Sequence, residues 1–167
     1  MQFEIQEATL GEWGEIQRVA QVAFPATYAR ILLPEQLDYM MDWMYSEASL
    51  RRQMTEEGHR YFVARDETGR AVGYVSIQPE EEGLYHLQKI YVLPEWQGCG
   101  VGQRLFERAL QEVRAALPQG GRMELNVNRS NRAKGFYERM GMRVVREGDF
   151  PIGGGFFMND YIMGMEV

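Results

Sequence analysis

The sequence predicts an α/β fold of the mixed (α+β) kind, and three observations predict it. An apolar, β-branched run from Leu84 to Leu93 stops at Pro94, passes through Gly98, Gly100 and Gly102, and opens a segment in which Val101, Leu105, Ala109, Val113 and Leu117 recur at helical spacing. The runs Arg60 to Arg65 and Ala71 to Gln78 flank Asp66-Glu67-Thr68-Gly69 and read as a hairpin. The whole chain follows the order strand, helices, three strands, helix, strand, helix, strands. Its 167 residues suit a single domain, 1–167, without repeats or low-complexity segments.

The elements follow in order. Phe3 to Ala8 alternates as a strand, and Thr9-Leu10-Gly11-Glu12 has capping-box spacing, so a first helix is expected from Leu10 to Ala23 with a break at Pro25 and Tyr28. Pro34 opens a second helix through Leu37, Tyr39, Met40, Met41, Trp43 and Met44, whose apolar residues are too many for one face. A third, Ser46 to Glu57, ends at Gly58. After the hairpin, Glu80-Glu81-Glu82-Gly83 reads as a solvated turn, then come the strand before the glycines and the long helix. The strand Met123 to Val127, a short helix from Asn131 stopped by Gly141, and strands near Met142 to Arg146 and Phe156 to Met165 complete the chain.

Composition excludes several classes of function. No apolar run approaches a membrane span and MQFEIQEATL lacks a signal-peptide pattern, so a cytoplasmic protein is expected. The one cysteine, Cys99, has no partner for a disulfide, and two histidines far apart in sequence give no metal-ligand spacing. A net charge of −6 gives no support to nucleic-acid binding, whereas such a field favours a cationic or amine ligand. The Met- and Tyr-rich terminal strand could pair across a homodimer or simply complete the sheet.

The chemistry begins at Gln97-Gly98-Cys99-Gly100-Val101-Gly102. A strand ending in glycines and opening a helix presents unpaired N–H groups at the positive end of the helix dipole, an anion site suited to phosphate. Gln103 and Arg104 stand where a P-loop needs Lys and Ser or Thr, and glycines at 98, 100 and 102 do not make G-x-G-x-x-G. What remains is Gln97-x-x-Gly100-x-Gly102, which resembles the acyl-CoA loop of the GCN5-related N-acetyltransferase (GNAT) superfamily. Asn131-Arg132-Ala133-Lys134-Gly135-Phe136-Tyr137-Glu138, closed by Gly141, is similar to that family's second signature, in the family's order.

The resemblance implies a mixed, mostly antiparallel sheet of about seven strands with helices on both faces. It also implies that the strands before the glycine loop and after the long helix splay apart to admit acetyl-CoA. The backbone of Ile90, Tyr91 and Val92 would meet the pantetheine amides, because orphaned strand groups need partners. The amides of Gln97, Gly98, Cys99, Gly100, Val101, Gly102 and Gln103 would meet the pyrophosphate, with Asn131 and Lys134 also toward the cofactor. Tyr137 falls where the family places a tyrosine near the CoA sulfur, as acid for the leaving thiolate. In the histone acetyltransferase branch a glutamate stands fourteen positions before the first family glycine; here that position is His86, a candidate base, with ordered water or an ordinary strand histidine as alternatives. Cys99 is read as incidental, since no histidine lies near in sequence to activate it.

For the acceptor, Tyr28 and Tyr39 lie in the segment that shapes the acceptor pocket of such folds, beside Glu35, Asp38 and Asp42. The terminal FPIGGGFFMNDYIMGMEV, with Asp160, resembles bacterial polyamine acetyltransferases, and Gly153-Gly154-Gly155 is expected to be mobile. These features point to a small cationic amine such as spermidine. A peptide or ribosomal-protein N-terminus, and a non-catalytic acyl-CoA sensor, are the alternatives.

Overall fold

Alternation in FEIQE produces β1 (Phe3–Glu7) in the computed structural model, which describes residues 1–167. The Thr9–Glu12 capping box forms as expected but caps a single 3-10 turn, Leu10–Glu12. Helix α1 (Trp13–Tyr28) follows and runs through Pro25 instead of stopping at Ala23. Pro25 lacks the N–H that would reach the Gln21 carbonyl, and Gln21 is exposed, so water can replace that bond. Burial of Phe24 and Tyr28 on either side of the proline holds the last turn helical against the sheet. Helix α2 (Pro34–Tyr45) starts on its proline, and α3 (Glu47–Thr55) is capped by Ser46, whose Oγ accepts from the Ser49 N–H at 3.2 Å. The excess of apolar residues on α2 ends partly in solvent, with Trp43 exposed.

Strands β2 (Arg60–Asp66) and β3 (Ala71–Pro79) form the expected hairpin, and β4 (Leu84–Val92) pairs antiparallel with β3. Then come α4 (Val101–Ala116), β5 (Arg122–Asn128), α5 (Ala133–Arg139), β6 (Arg143–Gly153) and β7 (Phe156–Glu166). β6 is longer than expected because its pairing with β7 continues through Pro151 into the glycine turn. The seven strands lie in the order β1-β2-β3-β4-β5-β7-β6, and only β4 and β5 are parallel.

Side-chain alternation puts a helical layer on each face. Tyr74 and Tyr91 point to one side, where Tyr91 meets Phe24 of α1 and Tyr74 meets Tyr45 of α2, at ring centroids 5.7 and 6.1 Å apart. Gly73, between them in phase, faces α4, and a Cβ there would stand 2.9 Å from the Tyr91 carbonyl and 3.3 Å from Leu105. Glycine is what lets α4 lie this close. The α4 stripe Val101, Leu105, Phe106, Ala109 and Val113 is almost wholly buried, each of its larger side chains contributing about 1.5–3 kcal/mol on burial. α5 lies on the same side, with Phe136 edge-on to Phe106.

The parallel ladder between β4 and β5 is short. It comprises Leu84–Arg122, Tyr85–Met123 and His86–Glu124, and no pairing continues beyond it. On the other side of β4, Ser76 pairs with Lys89 and Ile77 with Leu87, so Gln88 is left over as a bulge. A bulge bends its strand and raises the local twist, which turns the end of β4 away from β5. The expected splay is present.

Candidate functional site

Where β4 and β5 part, a cleft of about 930 Å³ crosses the sheet. Its walls are the unpaired stretches Leu87–Val92 and Leu125–Val127, the end of α1 with the turn after it, and α5 with the turn before it. Gln97 and Gly102 bring the glycine loop to the cleft on the α4 face, where Gly102 lies beside Val92 and Phe136. Tyr28 stands on the opposite face, packed on Phe24 at 4.8 Å. A molecule in the gap is therefore reached from both sides of the sheet.

The loop has the features of an anion cradle. Gly98 and Gly100 have φ of 80° and 84°, and Gly100 occupies the cap position of α4 in the left-handed conformation. The first loop or helix amide downstream to find a backbone acceptor is that of Arg104, on the Gly100 carbonyl at 3.1 Å, so the N–H groups from Gly98 to Gln103 are free. Six free donors beside the positive end of a sixteen-residue helix favour phosphate oxygens. Gln97 folds back toward the Val92 carbonyl at 3.3 Å, Gln103 donates to Glu107 at 3.0 Å, and the half-buried Cys99 sulfur lies 3.3 Å from that of Met1. Neither Cys99 nor Gln103 has its side chain at the cleft wall.

Asn131, expected toward the cofactor, makes two local bonds at the cleft. Its Oδ1 accepts from the Ala133 N–H at 2.9 Å, starting α5, while Nδ2 lies 3.3 Å from the Tyr28 hydroxyl at the cleft. Lys134 points elsewhere: its ammonium is 3.7 Å from Glu138 and 5.3 Å from the Tyr161 ring, away from the cleft lining.

Tyr137 lines the cleft and is otherwise buried among Phe106 and Phe136. Its hydroxyl has no protein partner, yet it is not among the buried polar atoms sealed without one, so it opens into the cleft. Burial, followed by the neighbouring Tyr28, raises its pKa far above the ordinary phenol range. It stays a neutral O–H donor at any physiological pH. Gly141, with φ of 102°, stops α5 as expected, and the Met142 N–H returns to the Tyr137 carbonyl at 3.0 Å. This closure fixes the residue that carries the phenol.

His86 is not at the cleft wall. It sits on the closed part of the ladder, its Nδ1 3.2 Å from Glu80, opposite Glu124. Glu124 is buried and bound by Arg146 at 3.0 Å and by Arg122. Burial lowers the His86 pKa to about 4, with Glu124 opposing and Arg146 adding to the fall. The imidazole is neutral at pH 7.

The acceptor-side residues separate likewise. Tyr28 is in the wall, whereas the Tyr39 hydroxyl donates to the Ile152 carbonyl at 2.8 Å and its ring covers Gly153 and Gly154. The glycine turn expected to be mobile is thus pinned to α2, and three successive positive φ angles at Gly153, Gly154 and Gly155 shape it. Asp160 is buried behind Asn126, which lines the cleft and donates from Nδ2 to Oδ2 at 3.2 Å. The other carboxylate oxygen, Oδ1, has no donor, and burial raises the Asp160 pKa despite the bond from Asn126.

No Asp or Glu lines the cleft; its basic residues are Arg30, Lys89 and Arg132. Glu35, Asp38 and Asp42 on α2 lie outside it. Arg30 and Asn126 were not legible as site residues, because a lone arginine after a helix and a polar strand residue carry no motif.

A family model for the acetyltransferase (GNAT) domain matches residues 32–151. An uncharacterized N-acetyltransferase of Mycobacterium tuberculosis is 30% identical over 154 residues, covering 92% of this chain and 96% of its own. Among solved structures, PaiA N-acetyltransferase from Thermoplasma acidophilum in complex with coenzyme A superposes at TM-score 0.81 with 20% identity, covering 100% of both chains. Spermidine/spermine N-acetyltransferase SpeG from Vibrio cholerae superposes at 0.65 with 19% identity over 99% of this chain and 92% of its own. At these identities the two superpositions speak to the fold, which is the one the paired motifs imply.

Proposed function

Because the chain belongs to the GNAT acetyltransferase family, we propose that its cleft binds acetyl-CoA and that it transfers the acetyl group to a primary amine in a ternary complex. The observation that carries this reading is the continuity of three features: six free loop amides, an unpaired strand edge, and an unpartnered phenol. They match, in order, the diphosphate, the two amides and the sulfur of the cofactor. Bound there, acetyl-CoA would supply an activated thioester.

The residues of the chain then have distinct tasks. Amides 98–103 hold the diphosphate, and the free edges of Ile90, Tyr91 and Val92 orient the arm through the gap. Tyr137 donates to the departing thiolate. Its raised pKa suits a hydrogen-bond donor that stabilises the thiolate while keeping its own proton, the thiolate being protonated from water, which has taken the proton shed by the amine. The amine sheds its proton to cleft water. His86, outside the wall and held near Glu80 and Glu124, is assigned to closing the ladder rather than to proton removal. Asn131 sets Tyr28 and the start of α5, and Lys134 has a surface role.

The spermidine-like acceptor finds little support, since the cleft has no carboxylate in its wall and Tyr39 is occupied by the hairpin. A non-catalytic sensor has no need of an unpartnered phenol. The test is CoA release from acetyl-CoA across amino acids, peptides, polyamines and aminoglycosides, with calorimetric titration of acetyl-CoA alongside. Acceptor-dependent release supports the reading. Tight cofactor binding without release by any amine refutes it in favour of the sensor.

A further inference from the structure

Resting on the transfer reading, the charge pattern of the cleft narrows the acceptor. The two turns at residues 29–33 and 128–132 face each other there: Ile31 and Ser130 line both the main cleft and a smaller hollow of about 280 Å³ beside it. Arg30 stands on the first turn, on the α1 face of the sheet, opposite the face that carries the glycine loop. It is exposed and makes no ion pair, although the chain carries 24 acidic residues against 18 basic ones. Arg129 next to the hollow is already held by Asp149 at 2.6 Å, and Arg132, also without an ion pair, stands at the start of α5, which packs on the α4 face, so Arg30 is the free cation beside the end of α1. An unpaired guanidinium in a cleft without carboxylates repels a polyamine and suits a carboxylate, which it can bind through two N–H groups.

The nitrogen end of such a molecule has its own partner. Asn126 gives its Nδ2 to Asp160, which leaves Asn126 Oδ1 turned to the cleft as an acceptor. Behind it the buried Asp160 keeps one oxygen with no donor. Asp160 lies behind Asn126 and outside the cleft wall, so it acts through Asn126, whose amide it holds and polarises toward an amine N–H in the cleft.

We propose that the acceptor is a primary amine carrying a carboxylate, an amino acid or a short peptide of that kind, whose carboxylate is read by Arg30 and whose nitrogen is drawn to Asn126, held from behind by Asp160. Matched acceptors test this by CoA release: an amino acid against its carboxamide, and 4-aminobutyrate against 1,4-diaminobutane. Wild type should favour each carboxylate by roughly tenfold or more in kcat/KM, and Arg30→Gln should bring the ratios near one. Arg30 is exposed and unpartnered, so the variant does not threaten folding. Equal or better use of the carboxamide or the diamine overturns the inference alone. So does an Arg30→Gln variant that keeps the ratios while weakening acetyl-CoA, which would assign Arg30 to the cofactor. Failure of every amine to promote release removes the transfer reading and this inference with it.

Discussion

Replacing Lys89 by methionine should abolish a pH dependence of stability that wild type carries above neutrality. Lys89 is buried in β4 with no carboxylate paired to it; its Nζ donates to the Tyr61 hydroxyl at 2.6 Å and to Gln53 Oε1 at 2.9 Å, 4.5 Å from the Tyr45 ring centroid. Burial lowers its pKa from 10.5 to about 7, against the weaker field of Glu57. Between these values the unfolded chain holds a proton that the folded chain has released, so stability rises with pH across that window and is flat below it. At 1.36 kcal/mol per unit, Lys89 should contribute a gain of about 3 kcal/mol between about pH 7 and pH 9.5, and the onset of tyrosine ionisation in the unfolded state acts equally on both proteins. Methionine has similar length and leaves Tyr61 bonded to Gln53 at 2.5 Å, so the variant keeps that pair satisfied. Urea unfolding of both proteins at the two pH values measures the difference. Parallel changes in the two proteins would refute the assignment of a neutral buried amine.

Other expectations follow from the same geometry. Tyr137→Phe should lower kcat by about 100-fold with acetyl-CoA affinity nearly unchanged, read by single-turnover kinetics beside calorimetry; wild-type turnover would remove Tyr137 from the chemistry. Gly100→Ala has room for its Cβ but must hold φ near 84°, so it should raise the KM for acetyl-CoA about tenfold and cost about 1 kcal/mol of stability. His86 and His59 are both lowered to about 4 from 6.5, chiefly by burial, so the unfolded chain takes up protons that the folded chain refuses. Stability should fall as pH drops from about 6.5 to about 4, and His86→Gln should shrink that fall by about 1–3 kcal/mol in thermal melts without altering the pH–rate profile.

Much of the frame was readable because its signals are local. The capping box at Thr9, Pro34 at the start of α2, the hairpin around Asp66 and the two glycine-closed motifs each decide a few residues of backbone without help from distant ones. Pro25 misled because its local cost is outweighed by the burial of Phe24 and Tyr28, which depends on a sheet far away in sequence. The glycine-loop end of the cleft was legible for the same reason as the loop: free backbone amides and one motif tyrosine stand there. The acceptor side was not. Tyr39 reads as an acceptor-pocket aromatic until Gly153 and Ile152, more than a hundred residues later, are seen to occupy it. His86 looks well placed on its strand, but a three-pair ladder puts it on the closed side of the gap. Arg30 acquires meaning only from what its neighbours lack.

That short ladder also shapes how the molecule comes apart. Three rungs join one half of the sheet, β1 to β4, to the other, β5, β7 and β6. Such a seam is where cooperativity is weakest, so the terminal half should open to solvent as a unit of its own. An occupant hydrogen-bonded to both rims of the gap acts as the missing rungs. Binding would then be felt far from the contact, as slowed amide exchange along β5 and β7 and as a melting transition that sharpens with ligand concentration.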